Sequence, residues 1–92
     1  MNTFKLTVAS PDGNIFSGDV VKLDVRGTEG ELAIMAGHIP FVTSVVSGAC
    51  AVWTDENTKK TATTKGGLLT VGKEDVTFLA GTFKFDEIIT TS

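Results

Sequence analysis

Short runs in which apolar and polar residues alternate constrain the fold of this chain more than any other feature. In the first run, Phe4, Leu6 and Val8 alternate with Lys5 and Thr7, and the turn motif SPDG follows. Successive side chains of a β-strand point to opposite faces, so this pattern predicts a strand with one buried face. Proline followed by glycine favours a tight turn, which would end the strand.

The same pattern returns along the chain. Residues 20–26 alternate apolar with charged side chains, and a slip of one residue would bury three charges, so we expect a firm register. Residues 31–35 predict a short return strand, which ends before Pro40 because proline cannot donate to a β-ladder. The apolar run over residues 39–46 is ambiguous, since it could form a strand or a helical turn.

The number of such runs predicts an all-β fold of about ten short strands, arranged as a β-sandwich or flattened barrel. A chain of 92 residues has room for one domain. We place this domain at residues 1–88, followed by a C-terminal tail over residues 89–92.

Charge and cysteine content exclude several classes of protein. The net charge is −3 and the 8 Lys and Arg residues are scattered, which argues against a nucleic-acid-binding protein. A single cysteine cannot form an intrachain disulfide, and this favours a reducing compartment. The sequence shows neither a signal-peptide pattern nor the roughly 20 apolar residues that span a bilayer. We therefore expect a soluble, cytoplasmic chain.

The sequence lacks the residue combinations of an active site. Nucleophilic catalysis requires a nucleophile, a base and an orienting group, but the chain has one histidine and one cysteine. Neither a metal nor a cofactor is expected, because a zinc site requires several Cys or His ligands. Most paired carboxylates fall in or beside turns, where solvated acids are common. These pairs are Glu29/Glu31, Asp55/Glu56, Glu74/Asp75 and Asp86/Glu87.

A few single residues carry their own expectations. Cys50 is predicted to be a buried, unreactive thiol, because apolar residues flank it in a predicted strand. Trp53, Phe83 and Phe85 are predicted core residues, with an aromatic anchor in an interface as the alternative. His38 permits two interpretations: a loop histidine that hydrogen-bonds its own backbone, or a contact residue on a binding surface.

Two spaced motifs resemble the epsilon subunit of F-type ATP synthases, which is called delta in mitochondria. The first motif is a turn and a strand, and the second holds an acidic turn and a His-Pro loop. Their members here are Pro11, Gly13, Phe16, Ser17 and Gly18, then Gly27, Glu29, Gly30, Ile34, Gly37, His38, Pro40 and Thr43. A later segment also matches, at Gly66, Gly67, Val71, Val76, Leu79 and Ala80.

The resemblance implies a β-sandwich of two five-stranded sheets and a non-catalytic role in a rotor. Members of this family link the gamma subunit to the c-ring. Gamma, epsilon and the ring then turn together, which couples proton or sodium flow to ATP synthesis in the alpha3beta3 head. The resemblance also implies peripheral association with the cytoplasmic face of the cell membrane. A β-sandwich module that recognises protein or carbohydrate is the alternative, for which only Trp53 could supply an exposed aromatic platform.

The resemblance further implies roles for individual residues. The polar loops of the c-ring would contact Thr28, Glu29 and Glu31, and charge complementarity there would fix orientation. The gamma contact would consist of Ser10, His38, Ile39, Pro40, Phe41 and Thr43. Structural turns are expected at Gly13, Gly18, Gly27, Gly30, Gly37 and Gly67. Many members continue into a two-helix C-terminal domain; helical periodicity is absent here, so we expect that inhibitory domain, and any ATP binding by it, to be missing.

Overall fold

The computed structural model describes residues 2–86, which form ten β-strands and no helix. The strands are β1 (Phe4–Ser10), β2 (Gly13–Val20), β3 (Lys22–Gly27), β4 (Gly30–Met35), β5 (Phe41–Val45), β6 (Gly48–Asp55), β7 (Thr58–Thr64), β8 (Gly67–Val71), β9 (Asp75–Ala80) and β10 (Phe83–Phe85). The predicted all-β fold and strand number are confirmed. Glu87, the predicted domain end at residue 88 and the predicted tail lie outside the described residues.

The strands form two sheets that meet at one backbone pair. β3 lies between β4 and β6, and its last residue, Gly27, pairs with Val45 of β5. Apart from this pair, the strands form two sets. The strands β10-β7-β6-β3-β4, in this order, are called the first sheet, and β5-β8-β9-β1-β2 are called the second sheet. Only β1 and β9 pair in parallel among the described strands. The expectation of two five-stranded sheets is therefore confirmed.

The core lies between the sheets and consists of residues at the alternating positions. Phe4, Leu6 and Val8 are buried on β1, and Leu23 and Val25 are buried on β3, as the alternation predicts. Full burial of an apolar side chain of this size contributes about 1.5–3 kcal/mol. The largest fully buried side chains come from both sheets: Phe78, Leu6, Leu23, Leu69, Val8, Val20, Val52, Val71 and Val76.

The aromatic residues predicted for the core divide into two groups. Phe83 is buried, and Phe85 packs half-buried against the core. The core prediction for Trp53 is wrong. Trp53 follows buried Val52 along β6, so its side chain points to the outer face of the first sheet. There its indole N–H donates a hydrogen bond to Asp24 Oδ2 at 3.0 Å, which satisfies the donor without burial.

Two segments add detail to the sequence predictions. The ambiguous run over residues 39–46 contains strand β5 and no helical turn. The segment after the SPDG turn forms a strand of 8 residues, β2, which pairs along the whole of β1. Gly18 lies inside β2, so the predicted structural turn at this residue is wrong.

Gly67 is required for close packing and not for a turn. It begins β8 beside β9, where a Cβ atom at this position would collide with the Leu79 carbonyl and lie 2.8 Å from Ala80 Cα. Glycine alone permits so close an approach of two backbones. By contrast, Gly13, Gly30 and Gly37 have positive φ angles, which turns commonly assign to glycine.

Candidate docking surfaces

The acidic turn forms the tip of the hairpin between β3 and β4. Gly27 and Gly30 pair across the turn, and Gly30 has a φ of 129°. Thr28 and Glu29 occupy the turn and are exposed. The acidic turn of the second motif is therefore the tip of a hairpin, called the hairpin tip below, and it presents one carboxylate at its end.

Glu31 lies outside the turn, in different surroundings. It is on β4, directly opposite Arg26 of β3, and it lines a groove of about 540 Å³ on the outer face of the first sheet. Glu29 is thus a turn acid, whereas Glu31 has a cation as its cross-strand neighbour.

The His38 loop connects β4 to β5 at the opposite end of the sandwich. The imidazole ring packs edge-on against Phe4, with ring centroids 5.5 Å apart. Both ring nitrogens are buried and have no hydrogen-bond partner among residues 2–86. The interpretation of His38 as a loop histidine bonded to its own backbone is therefore wrong.

The rest of this loop is exposed. Gly37 has a φ of 85°, and the Ile39 side chain is 82% exposed. The loop lines a cavity of about 450 Å³ whose other wall is Lys73 and Glu74 of the turn between β8 and β9. The loop therefore presents the exposed apolar side chain of Ile39 beside a histidine that has no polar partner among residues 2–86.

Strand β5 continues this loop onto the outer face of the second sheet. Phe41 and Thr43 share the inward side of β5 with buried Val45 and are only partly covered. The intervening Val42 points outward and is 61% exposed. Sequence reasoning selected Phe41 and Thr43 for the gamma contact and missed Val42.

The outer face of the second sheet carries no charge across its centre. Leu68 of β8 lies directly opposite Leu79 of β9, and these side chains are 43% and 52% exposed. Outward residues of the neighbouring strands complete a surface that we call the uncharged face: Thr7, Ala9, Val42, Ser44, Leu68, Thr70, Thr77 and Leu79. Among the described strand residues that point outward on this sheet, the charged ones are Lys5, Asp19 and Asp75, which lie in the adjoining row.

This face is absent from the sequence-based predictions, although the sequence carries a signal for it. Leu68-Leu69 and Phe78-Leu79 are consecutive apolar pairs within strands. Because strand side chains alternate, each pair must place one member on either face of the sheet. Leu69 and Phe78 are buried, so Leu68 and Leu79 point outward.

The uncharged face lies between Ser10 and the His38 loop. β1 begins at Phe4, which contacts His38, and ends at Ser10, so these two sites are separated by roughly 20 Å along the strand. The Ser10 hydroxyl accepts a hydrogen bond from the Asp12 amide at 3.3 Å. Ser10 follows Ala9, which pairs with Leu79 on the uncharged face. Of the predicted gamma residues, Ser10 and the His38 loop therefore lie near opposite ends of this face, whereas Phe41 and Thr43 point inward on β5.

The outer face of the first sheet is charged. The Lys22 and Lys59 ammonium groups lie 5.7 and 5.5 Å from the centre of the Trp53 ring. Lys22 Nζ also lies 3.6 Å from Asp24 Oδ1, which completes a cluster around the indole. The two outer faces thus differ sharply in polarity.

Cys50 does not supply a reactive group. It is buried on β6, and burial together with the negative charge of Asp86 raises the pKa of its thiol to about 11. Thiolate, the nucleophilic form, is scarce at neutral pH under these conditions. The prediction of a buried, unreactive thiol is confirmed.

Comparison with known proteins agrees with this architecture. The family described as ATP synthase, Delta/Epsilon chain, beta-sandwich domain matches residues 3–85. The chain belongs to this family. It is also 34% identical over 87 residues to the ATP synthase epsilon chain, sodium ion specific, of Acetobacterium woodii, covering 95% of this chain and 65% of that one. The chain thus spans slightly less than two thirds of this curated relative.

Solved structures share the delta/epsilon fold. A chain of the Euglena gracilis mitochondrial ATP synthase (OSCP/F1/c-ring) superposes with a TM-score of 0.86 at 24% identity, covering 96% of this chain and 56% of that one. A chain of the Tetrahymena thermophila mitochondrial ATP synthase (central stalk/c-ring) gives 0.75 at 13% identity, covering 86% and 63%. Among residues 2–86 there is no helix of the length and apolarity needed to cross a membrane.

Proposed function

We propose that this protein is a non-catalytic subunit of the rotating central stalk of an F-type ATP synthase. In this role it links the gamma subunit to the c-ring and helps to couple proton or sodium translocation to ATP synthesis in the alpha3beta3 head. The family match over residues 3–85 carries the proposal, and the 34% identity to a named epsilon chain supports it. The protein would then be peripheral, held at the cytoplasmic face of the cell membrane through the complex.

We assign the gamma contact to the uncharged face. Contiguous exposed apolar surface commonly marks an interaction site, and Val42, Leu68 and Leu79 provide it here. A partner seated on this face would reach Ser10 at one end and the loop of His38, Ile39 and Pro40 at the other. Phe41 and Thr43 lie on β5, which borders the same surface. They point to the inward side of that strand, so this interface accounts for Ser10 and the His38 loop and only borders Phe41 and Thr43.

We assign the c-ring contact to the hairpin tip. Thr28 and Glu29 are exposed there, so basic loops could approach them without desolvating other groups of this chain. Charge complementarity of this kind fixes orientation more than it adds affinity. Glu31 would contribute from the adjoining strand, where it lies directly opposite Arg26.

The alternative function, carbohydrate recognition, rests on the outer position of Trp53. A sugar-binding platform requires an aromatic face free for stacking. Here two ammonium groups lie within 6 Å of the ring and Asp24 already accepts the indole N–H. These neighbours favour a structural cluster, and a positive signal on a sugar array would restore the alternative.

Co-elution with purified gamma subunit tests the proposed function. We expect a complex at micromolar concentrations on size exclusion, which Leu79→Asp disrupts and Met35→Asp preserves. Met35 is a matched control because it is 55% exposed on β4 of the first sheet, close to the exposure of Leu79. Separate migration of the unaltered chain and gamma would overturn the proposal. Equal binding by both variants would overturn the assignment of the face.

A further inference from the structure

Strand β4 forms one edge of the first sheet, and its outer side pairs with no other strand among residues 2–86. The Val46 N–H donates a hydrogen bond to the Arg26 carbonyl at 2.9 Å, so this part of the β3 backbone points away from β4. Because the two kinds of residue pair alternate along antiparallel strands, the β4 partner of Arg26 and every second residue after it direct their N–H and C=O groups outward. These exposed residues are Glu31, Ala33 and Met35. The edge therefore presents a hydrogen-bond donor and an acceptor at each of them.

The other sheet edges carry features that hinder the addition of a strand. On β2, Ile15 is an extra residue between the partners of Val8 and Ala9, and such a bulge distorts the edge. Strand β10 has only 3 residues, and β5 begins directly after Pro40 and is joined to β3 at its last residue. By contrast, β4 has 6 residues, no proline and an unbroken register with β3. It is therefore the edge most open to a further strand.

The side chains of β4 define the chemistry of a segment that fits beside it. Leu32 and Ile34 point inward, and Leu32 is only partly buried, so apolar residues suit the two positions opposite them. Glu31 points outward at one end and forms no ion pair with any residue from 2 to 86. A lysine or arginine opposite Glu31 would complement its charge. A second copy of this chain, paired about Ala33, would place Met35 there instead, and is therefore a poorer fit.

We propose that the β4 edge binds an extended segment of another protein by strand addition. The segment runs antiparallel to β4, alternates apolar with polar residues and carries a basic residue opposite Glu31. Its backbone forms hydrogen bonds with Glu31, Ala33 and Met35, which extends the first sheet by one strand. This contact goes beyond the proposed function, because β4 belongs to the first sheet whereas the uncharged face lies on the second. The edge thus remains accessible to a second partner when gamma covers the uncharged face.

A synthetic peptide, acetyl-Thr-Val-Thr-Ile-Lys-Thr-amide, tests the proposal by nuclear magnetic resonance titration of the free chain. At millimolar concentration, we expect the peptide to shift the backbone amide signals of Glu31, Ala33 and Met35. The matched control carries N-methyl groups on the first, third and fifth residues, whose N–H groups would bond β4, and it should leave those signals unchanged. The proposal would be overturned by absent shifts with the first peptide, by equal shifts with both, or by shifts confined to β2, β5 or β10.

Two variants of the chain separate backbone pairing from charge. Ala33→Pro removes one outward N–H, and proline is tolerated in edge strands where the N–H faces solvent, so the fold should persist. The Kd for the lysine peptide should rise about five- to tenfold. Glu31→Gln should raise that Kd by up to about fivefold and should not affect a peptide with threonine in place of lysine. Unchanged affinity of Ala33→Pro would contradict strand addition, and unchanged affinity of Glu31→Gln would contradict the basic residue. If Ala33→Pro does not fold, the N-methyl peptide still decides, and neither measurement depends on gamma.

Discussion

Leu68 and Leu79 lie directly opposite each other on β8 and β9, and both point away from the core onto the uncharged face. Each is the outward member of a consecutive apolar pair, so the same two strands supply the core with Leu69 and Phe78. Such a face is stable in a folded chain but exposes apolar surface to water. Partner binding, or self-association in its absence, would reduce that exposure.

We expect the double substitution Leu68→Thr and Leu79→Thr to reduce self-association of the free chain at high concentration. Threonine favours strands, and surface changes of this kind usually alter stability by within about 0.5 kcal/mol. Sedimentation velocity at increasing concentration measures the effect. Met35→Thr is the control on the opposite face and should leave self-association unchanged. A chain that is fully monomeric before substitution would contradict the prediction.

The close approach at Gly67 predicts a large loss of stability for Gly67→Ala. The added methyl group would meet the Leu79 carbonyl and the Ala80 Cα, which belong to backbone and cannot rotate away. We expect the free energy of unfolding to fall by about 3 kcal/mol, measured by urea denaturation. Gly18→Ala is the matched control, because the nearest atom to its Cβ would be Phe16 Cζ at 3.6 Å. A comparable loss for both variants would show that backbone collision is not the cause.

The buried Cys50 thiol predicts a pH dependence of stability. Its pKa is raised from 9.0 to about 11 in the folded chain, first by burial and then by Asp86. The unfolded chain therefore ionises first, so this contribution is fully present below pH 9.0 and is lost as the pH rises through about 11. Integrated over that window, the loss is about 2–3 kcal/mol.

Denaturation series at several pH values, in parallel with Cys50→Ala, measure this loss. The substituted chain should be less stable at neutral pH because the deletion leaves a cavity. Its stability should nevertheless fall less steeply between pH 9 and 11 than that of the unaltered chain. Parallel slopes would assign the alkaline loss to other groups.

The hydrogen bond from Trp53 to Asp24 predicts that Asp24→Ala is more damaging than Lys22→Ala. The first substitution removes a charged acceptor from a half-buried donor, at a cost of about 1.5–3 kcal/mol. The second removes a partly exposed ion pair, for which about 0–1 kcal/mol is typical. Trp53 is the only tryptophan, so its fluorescence should shift to the red in Asp24→Ala. Equal stability losses would contradict the ranking.

The core could be predicted from sequence wherever apolar and polar residues alternate along a strand. Phe4, Leu6, Val8, Leu23 and Val25 were assignable to the core because strand side chains alternate and charged residues lay between them. The position of Trp53 could not be assigned in this way. Its large ring favours burial, but it follows inward-pointing Val52 on β6 and therefore points outward. Nothing local marks this conflict. The decisive partner, Asp24, lies on another strand, 29 positions away.

The docking residues divide in the same way, into features that local sequence patterns encode and features that depend on contacts between distant strands. The hairpin tip at Thr28 and Glu29 follows from local turn chemistry, since glycines bound it on both sides. The joint between the sheets at Gly27 and Val45 depends on how distant strands pair, which local patterns do not encode. The position of Ser10 at one end of the uncharged face has the same origin. Contacts of high sequence separation therefore had to come from the structure.

Charge reversal at the hairpin tip should weaken coupling in the assembled enzyme. We expect Glu29→Lys to reduce ATP-driven proton or sodium pumping relative to ATP hydrolysis, because it replaces attraction to basic c-ring loops with repulsion. Glu31→Lys is a poorer probe, since it would place two cations directly opposite each other with Arg26 and destabilise the hairpin itself. Glu31→Gln avoids that effect and should give a smaller loss of coupling. Glu56→Lys, in the exposed β6–β7 turn at the opposite end of the first sheet from the hairpin tip, is the matched control for net charge. If Glu29→Lys pumped as efficiently per ATP as this control, the hairpin tip would not be the contact with the ring.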